Sequence, residues 1–245
     1  MKTVRLNLNP GIRSPKLALA GGLGLLLTFG PLAPLAAEST NALAAPTLEA
    51  VGQAMSGVQT VFTHFVQERH LSLFKEPLRS EGVLCCEKPG RIRWEITQPY
   101  RSILVSDGSG VAQFEWMEDR WKKLDLGLAE ALQRVVSQIA GVIEGRYAKG
   151  GKEFNVSLAV QEGEPVVTLV PQNERMRKIM QAIEVRLAPD LQGTRRVVLR
   201  EGSADYTEIR FENQVANVRF PPRTFDRTKP ADLGQVQETV REAAR

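Results

Sequence analysis

The sequence predicts a mainly antiparallel β protein of the α+β class, a barrel or strongly curved sheet rather than a βαβ fold. Two observations carry this. Short runs of alternating apolar and polar residues recur along the chain, each closed by Gly, Pro, Asp or Asn turn residues. Between them no regular alternation of strand and helix appears, as parallel sheets would need.

The first element is a targeting segment. Lys2, Arg5, Arg13 and Lys16 precede an apolar stretch from Leu17 to Ala37, and small residues follow. This reads as a secretory signal peptide over 1–37, with cleavage between 37 and 45. The rival is an uncleaved anchor, since about 20 apolar residues span a bilayer. Pro31, Pro34 and the small-residue sites favour cleavage, and no Cys near the apolar stretch offers a lipidation site. The whole chain has 32 Lys and Arg against 28 Asp and Glu. The four basic residues before Glu38 account for the excess, leaving 28 of each sign. The segment 46–228 is therefore read as one domain without net attraction to nucleic acid.

Thr47 to Gly57 has the pattern of a short helix. Thr47 is a candidate N-cap, Glu49 adds acid to the first turn, and Leu48, Val51 and Met55 form one stripe. Gly57 and a β-branched run then mark a break, with a strand from Thr60 to His70. Leu71 to Ser80 reads as a loop whose Leu73, Phe74, Pro77 and Leu78 are either a partner contact or, the reading favoured, anchors of the loop. Strands follow at 82–87, 91–97 and 101–106, broken by Lys88-Pro89-Gly90 and Gln98-Pro99-Tyr100. In the middle strand Ile92, Trp94 and Ile96 point one way, and Arg91, Arg93 and Glu95 the other. Cys85 and Cys86 are neighbours on a strand, so they face opposite sides. They lack metal-ligand spacing and are expected unbonded to each other, one buried and one half-exposed.

Val111 to Met117 and Arg120 to Leu124 suggest a hairpin, with Ala112, Phe114 and Trp116 on one face. Gly127 to Tyr147 reads as a helix with Leu132, Val136, Ile139 and Ile143 on a broad apolar side. Strands resume at 154–160, 165–170, 179–187, 195–201 and 206–211, with one helical turn possible within 171–178. The charged tail, 229–245, is expected to be loosely ordered.

Several of these residues carry a resemblance. The run KPGRIRWE, then QP, then ILVSDG, with Phe65-Val66-Gln67 upstream, is similar to the signature of the LolA-type outer-membrane lipoprotein carriers of Gram-negative bacteria. Phe220-Pro221-Pro222 and Phe225-Asp226 resemble that family's closing segment. The resemblance implies an unclosed antiparallel β-barrel with helices covering an apolar cavity. It implies a periplasmic location, a lipoprotein or other acylated cargo, an inner-membrane donor transporter and an outer-membrane acceptor. On it, Phe65, Ile92, Trp94, Ile96, Phe114, Trp116, Leu132, Val136, Ile139 and Ile143 are expected to line the cavity. Leu48, Val51 and Met55 are expected in the lid, with Lys88 at the hand-over position. In the best-known members that position is Arg, which the family uses to hydrogen-bond the lid. Lys lacks the planar fork of Arg, which marks this chain as a divergent paralogue.

Enzymatic chemistry has little footing. His64 and His70 stand without a nucleophile motif, metal-ligand spacing or phosphate loop. Glu81, Glu87, Glu95 and Glu115 neighbour Arg79, Arg91, Arg93 and Lys122, and read as charge pairs on a wet face. No catalytic residue, metal or cofactor is expected. The alternative to a carrier is a non-transporting periplasmic module of the same fold that senses lipid or a partner.

Overall fold

Eleven strands pair into one antiparallel sheet. They are β1 (Thr60–His70), β2 (Leu78–Glu87), β3 (Arg91–Gln98), β4 (Ser102–Asp107), β5 (Val111–Met117) and β6 (Arg120–Lys123). After a gap come β7 (Phe154–Gln161), β8 (Glu164–Pro171), β9 (Ala182–Leu187), β10 (Thr194–Glu201) and β11 (Asp205–Ala216). The spatial order is β6-β5-β4-β3-β2-β1-β11-β10-β9-β8-β7, so the sheet is unclosed, with β6 and β7 at its ends. The coordinates are a computed structural model, and the residues described are 46–124, 141, 144–146, 153–202 and 204–243. The signal-peptide reading falls on 1–45 and lies outside them. So does nearly all of the expected helix 127–147, including Leu132, Val136, Ile139 and Ile143.

Helix α1 (Leu48–Ser56) starts as its sequence directs. The Thr47 hydroxyl accepts from Ala50 N at 3.1 Å, satisfying one of the orphan amides of the first turn. A single turn, α2 (Glu174–Arg177), links β8 to β9, where the polar connection was read. Three strands have a bound that differs from the reading by three residues or more. β2 begins four residues earlier than expected, β9 three later, and β11 runs on past Phe211.

Register assigns the two faces. Leu84 lies opposite Thr63 and Trp94, and Trp94 opposite Leu104, so these share what is here called the inner face. Beyond β1 the same face continues through Phe211, Val197, Val185 and Val167. It forms two joined apolar clusters. One holds Val61, Phe65, Leu84, Cys86, Ile92 and Ile96. The other packs Val51 and Met55 of α1 against Val167, Ile183, Val185 and Val197.

The outer face is split. From β1 to β5 it carries Phe62, Val83, Cys85, Ile103, Val105 and Phe114. A C-terminal strap covers them with Val218, Phe225, Val236 and Val240, the last two on helix α3 (Leu233–Ala243). The tail is thus ordered where a loose one was expected, because its Leu233, Val236 and Val240 spacing forms a stripe that finds an apolar face. Toward β9, β10 and β11 the outer face is wetter. There it bears ion pairs such as Arg210–Glu68, Arg210–Glu208 and Arg200–Glu184.

The strap changes the meaning of β3. Arg93 and Glu95, expected on a wet face, are each about 1% exposed. Arg93 donates twice to Glu95 Oε2, at 2.9 and 2.6 Å, and once each to the carbonyls of Ala231 at 2.7 Å and Thr224 at 3.4 Å. Further down, Arg227 donates to Asp107 at 2.7 Å. That bond and the amides of Ser109 and Gly110 hold the Asp107 carboxyl well below the usual range, against the opposing pull of desolvation. Cys85 and Cys86 do face opposite sides and are free, but both are buried, Cys85 under the strap and Cys86 on the inner face. Burial pushes the Cys85 thiol up to about 12 and that of Cys86 well above its ordinary value.

Candidate functional site

The site is built where three segments meet at one end of the inner face. The first is the β2–β3 corner, Lys88-Pro89-Gly90. The second is the C-terminal end of α1, where the Met55 carbonyl accepts from Val58 N at 3.2 Å. The third is 144–146. Lys88 Nζ donates to the Met55 carbonyl at 2.7 Å, joining corner to helix. Gly90 N donates to Glu144 Oε1 at 2.8 Å, joining corner to third segment. Glu144 pairs with Arg146 at 2.9 Å. Gly145 holds φ +70, and a Cβ there would press into the Met55 side chain, so glycine suits both the backbone and the contact. Desolvation lowers the Lys88 pKa, while the charge of Glu144 acts the other way.

Lys88 therefore reaches α1 without the fork of an arginine. The Met55 carbonyl, which also accepts from Val58 N, takes Lys88 as a further single donor, and a point charge is enough for that. The expectation that Arg91 and Arg93 face away holds. Arg91 pairs with Glu87 and lies over the Phe225 ring at 4.7 Å, and Arg93 is committed to the strap.

Beside this latch lies an aromatic patch of the inner face. The Phe65 and Trp94 rings are 4.3 Å apart, and Phe211 meets Trp94 edge-on at 6.5 Å. Ile92 and Ile96 are buried next to them, with Trp94 half-buried. Gly82 makes that approach possible, since a Cβ there would overlap the Glu95 carbonyl and the Phe65 ring. A void of about 10 Å³ between Met55, Val61, Leu84, Thr194 and Phe211 would hold about one water.

The structure thus brings Phe65, Ile92, Trp94 and Ile96 together, and sets Leu48, Val51 and Met55 on the same inner face. Phe114 and Trp116 do not join them. Phe114 lies opposite Ile103, which lies opposite Glu95, so both aromatics belong to the outer face. Trp116 instead meets Trp121 edge-on and holds Arg101 over its ring at 4.4 Å. Glu144 and Gly145 were missed as latch residues. Both fall inside the expected helix 127–147, where neither carried a local signal of this role.

Comparison with known proteins places the chain in a family. The family model for the outer membrane lipoprotein carrier protein LolA matches residues 56–228. An outer-membrane lipoprotein carrier protein of Dechloromonas aromatica is 28% identical over 167 residues, 67% of this chain and 74% of that one. Its counterpart in Methylococcus capsulatus is 27% identical over 182 residues, 73% and 82% of the two chains. Among solved structures, a LolA superfamily protein from Nitrosomonas europaea aligns with a TM-score of 0.40 at 10% identity, over 74% of this chain and 96% of that one. With the family model spanning well over half its length and its relatives at modest identity, the chain belongs to the LolA family of outer membrane lipoprotein carrier proteins, as a divergent member.

Proposed function

We propose that the protein is a periplasmic carrier that holds the acyl chains of a lipoprotein, or of a related lipid, between its inner face and α1. It takes cargo from an inner-membrane transporter and yields it to an outer-membrane acceptor. Family membership makes it a carrier and not an enzyme. The observation that supports the mechanism is the Lys88–Met55 bond beside the Phe65–Trp94–Phe211 patch.

The physical requirement is loose binding. Each buried methylene contributes about 0.8 kcal/mol, so a fully buried chain would be hard to release. Lifting α1 uncovers Val51 and Met55 and breaks the latch, which offsets part of that gain. The cargo then competes with the protein's own helix for one apolar surface. Weakening the latch should raise affinity, and thinning the apolar patch should lower it.

The test is titration with a fluorescent fatty acid, alongside native mass spectrometry of protein recovered from its own cells. The parent chain should saturate with probe and carry co-purified lipid. Lys88→Ala should bind the probe more tightly, and Trp94→Ala more weakly. A parent protein that neither saturates nor carries lipid overturns the carrier reading.

A further inference from the structure

The large apolar side chains left in water are not scattered. In an antiparallel sheet successive turns alternate between its two ends, which sorts the connections into two rims. The β1–β2, β3–β4, β5–β6, β8–β9 and β10–β11 connections share one rim. The opposite rim carries the latch corner and the turns after β4, β7 and β9.

Nearly all the exposed large apolar residues among the described ones sit at the first rim. The β1–β2 loop presents Leu73, 86% exposed, with Phe74 and Leu78 beside it. Expected to anchor the loop, these residues face solvent instead. The β3–β4 turn presents Tyr100, the β5–β6 hairpin Trp116 and Met117, and the β8–β9 connection Ile179, 75% exposed. Among the described residues, the latch rim has only Val160 near it. The β8–β9 connection is also basic, the β1–β2 loop is neutral, and the β5–β6 turn carries Glu118 and Asp119. Segments 71–77 and 172–181 together hold Lys75, Arg175, Arg177 and Lys178 against Glu76 and Glu174. Of the four cations, only Arg177 has an ion pair among the described residues, with Glu174 at 3.9 Å.

We propose that this rim docks the protein on an anionic phospholipid surface. Leucine, isoleucine and aromatic tips mixed with Lys and Arg suit the interface of a bilayer. There the apolar tips enter the acyl boundary and the cations meet phosphate. The tips stand on separate connections along the sheet end, not in one groove, as contact with a broad surface requires rather than with a single peptide. The arrangement also leaves the Lys88 latch at the far rim, clear of the membrane. This goes beyond the carrier reading, because an empty protein should dock as well as a loaded one.

The experiment is flotation of the full-length gene product, without added cargo, on vesicles of phosphatidylethanolamine and phosphatidylglycerol. Leu73→Ser with Phe74→Ser should lower bound protein by about tenfold. Lys75→Gln with Lys178→Gln should lower it by about tenfold on these vesicles, and not on phosphatidylcholine alone. All four positions are outside the buried clusters, so melting and fatty-acid titration should match the parent. That keeps a failure here separate from a failure of the carrier reading. Equal flotation of parent and rim variants overturns the proposal. So does a parent that ignores anionic vesicles at low salt, or rim substitutions that abolish only binding to a protein acceptor.

Discussion

Arg93–Glu95 and Arg210–Glu208 are the same device in two places. Each joins an arginine to a glutamate two residues away on one strand, and both lie on the outer face. Under the strap, the first pair is sealed at about 1% exposure and the arginine also serves two carbonyls of the covering segment. In the open half, the Arg210 side chain is 39% exposed and shares Glu208 and Glu68 with its neighbours. The chemistry is identical, and the cover decides what it is worth. In water an ion pair competes with hydration and gains little. Under the strap the charges have lost their water, so each depends on the other.

Breaking the sealed pair should have the largest effect. Arg93→Ala leaves Glu95 charged, buried and alone, and should cost about 3–5 kcal/mol in urea unfolding. Replacing both, Arg93→Met with Glu95→Leu, should recover most of that loss. If the single and double variants unfold alike, the pair is not what ties the strap down.

Next comes the cover itself. Val236→Ala removes two methyl groups from a fully buried site and should cost about 2 kcal/mol. It should also speed labelling of Cys85 by a thiol reagent while leaving Cys86, on the inner face, as slow as before. Equal acceleration at both thiols would mean the strap supports the whole sheet.

In the open half the same surgery should do little. Arg210→Ala should shift stability by less than about 1 kcal/mol, and less still in high salt.

The finest distinction is in pH. Burial raises the Glu95 pKa above its ordinary 4.5, against the pull of Arg93. The folded state then holds that proton more tightly than the unfolded chain, so stability from this group is present at low pH and declines as pH rises past 4.5. Glu68 has the opposite sign. Its hydrogen bond from Arg210 lowers its pKa, so its contribution is present above 4.5 and is lost on acidification. Glu95→Gln should flatten the upper slope of the stability–pH curve, and Glu68→Gln the acid slope. Slopes unchanged in both would contradict this assignment.

What the sequence could and could not reveal follows from range. Alternation within one strand is local, so the split of Ile92, Trp94 and Ile96 from Arg93 and Glu95 was legible. Relative phase between strands is not local. Phe114 and Trp116 alternate as cleanly as Trp94, yet the register through Ile103 turns them to the other face. The strap lay further out of reach. The carbonyl that receives Arg93 is 138 residues downstream, and an Arg-x-Glu pattern looks the same under a lid as under water. At the latch, the KPG corner and the Thr47 cap were both visible. Their meeting through Lys88 and Glu144 depended on three segments converging, which no periodicity records.

Among the described residues the unclosed sheet has two unpaired margins, and they are not equally guarded. β6 is four residues long and carries Arg120, Lys122 and Lys123, a short charged margin that repels a second copy. β7 is twice that length, reads FNVSLAVQ, and has no charge. Its outward N–H and C=O groups form the longer template on which an extended chain could add. Solubility at high concentration therefore rests on this one margin more than on the net charge of the molecule. A single lysine at Ser157, on the face away from α1, would be the smallest change that protects it.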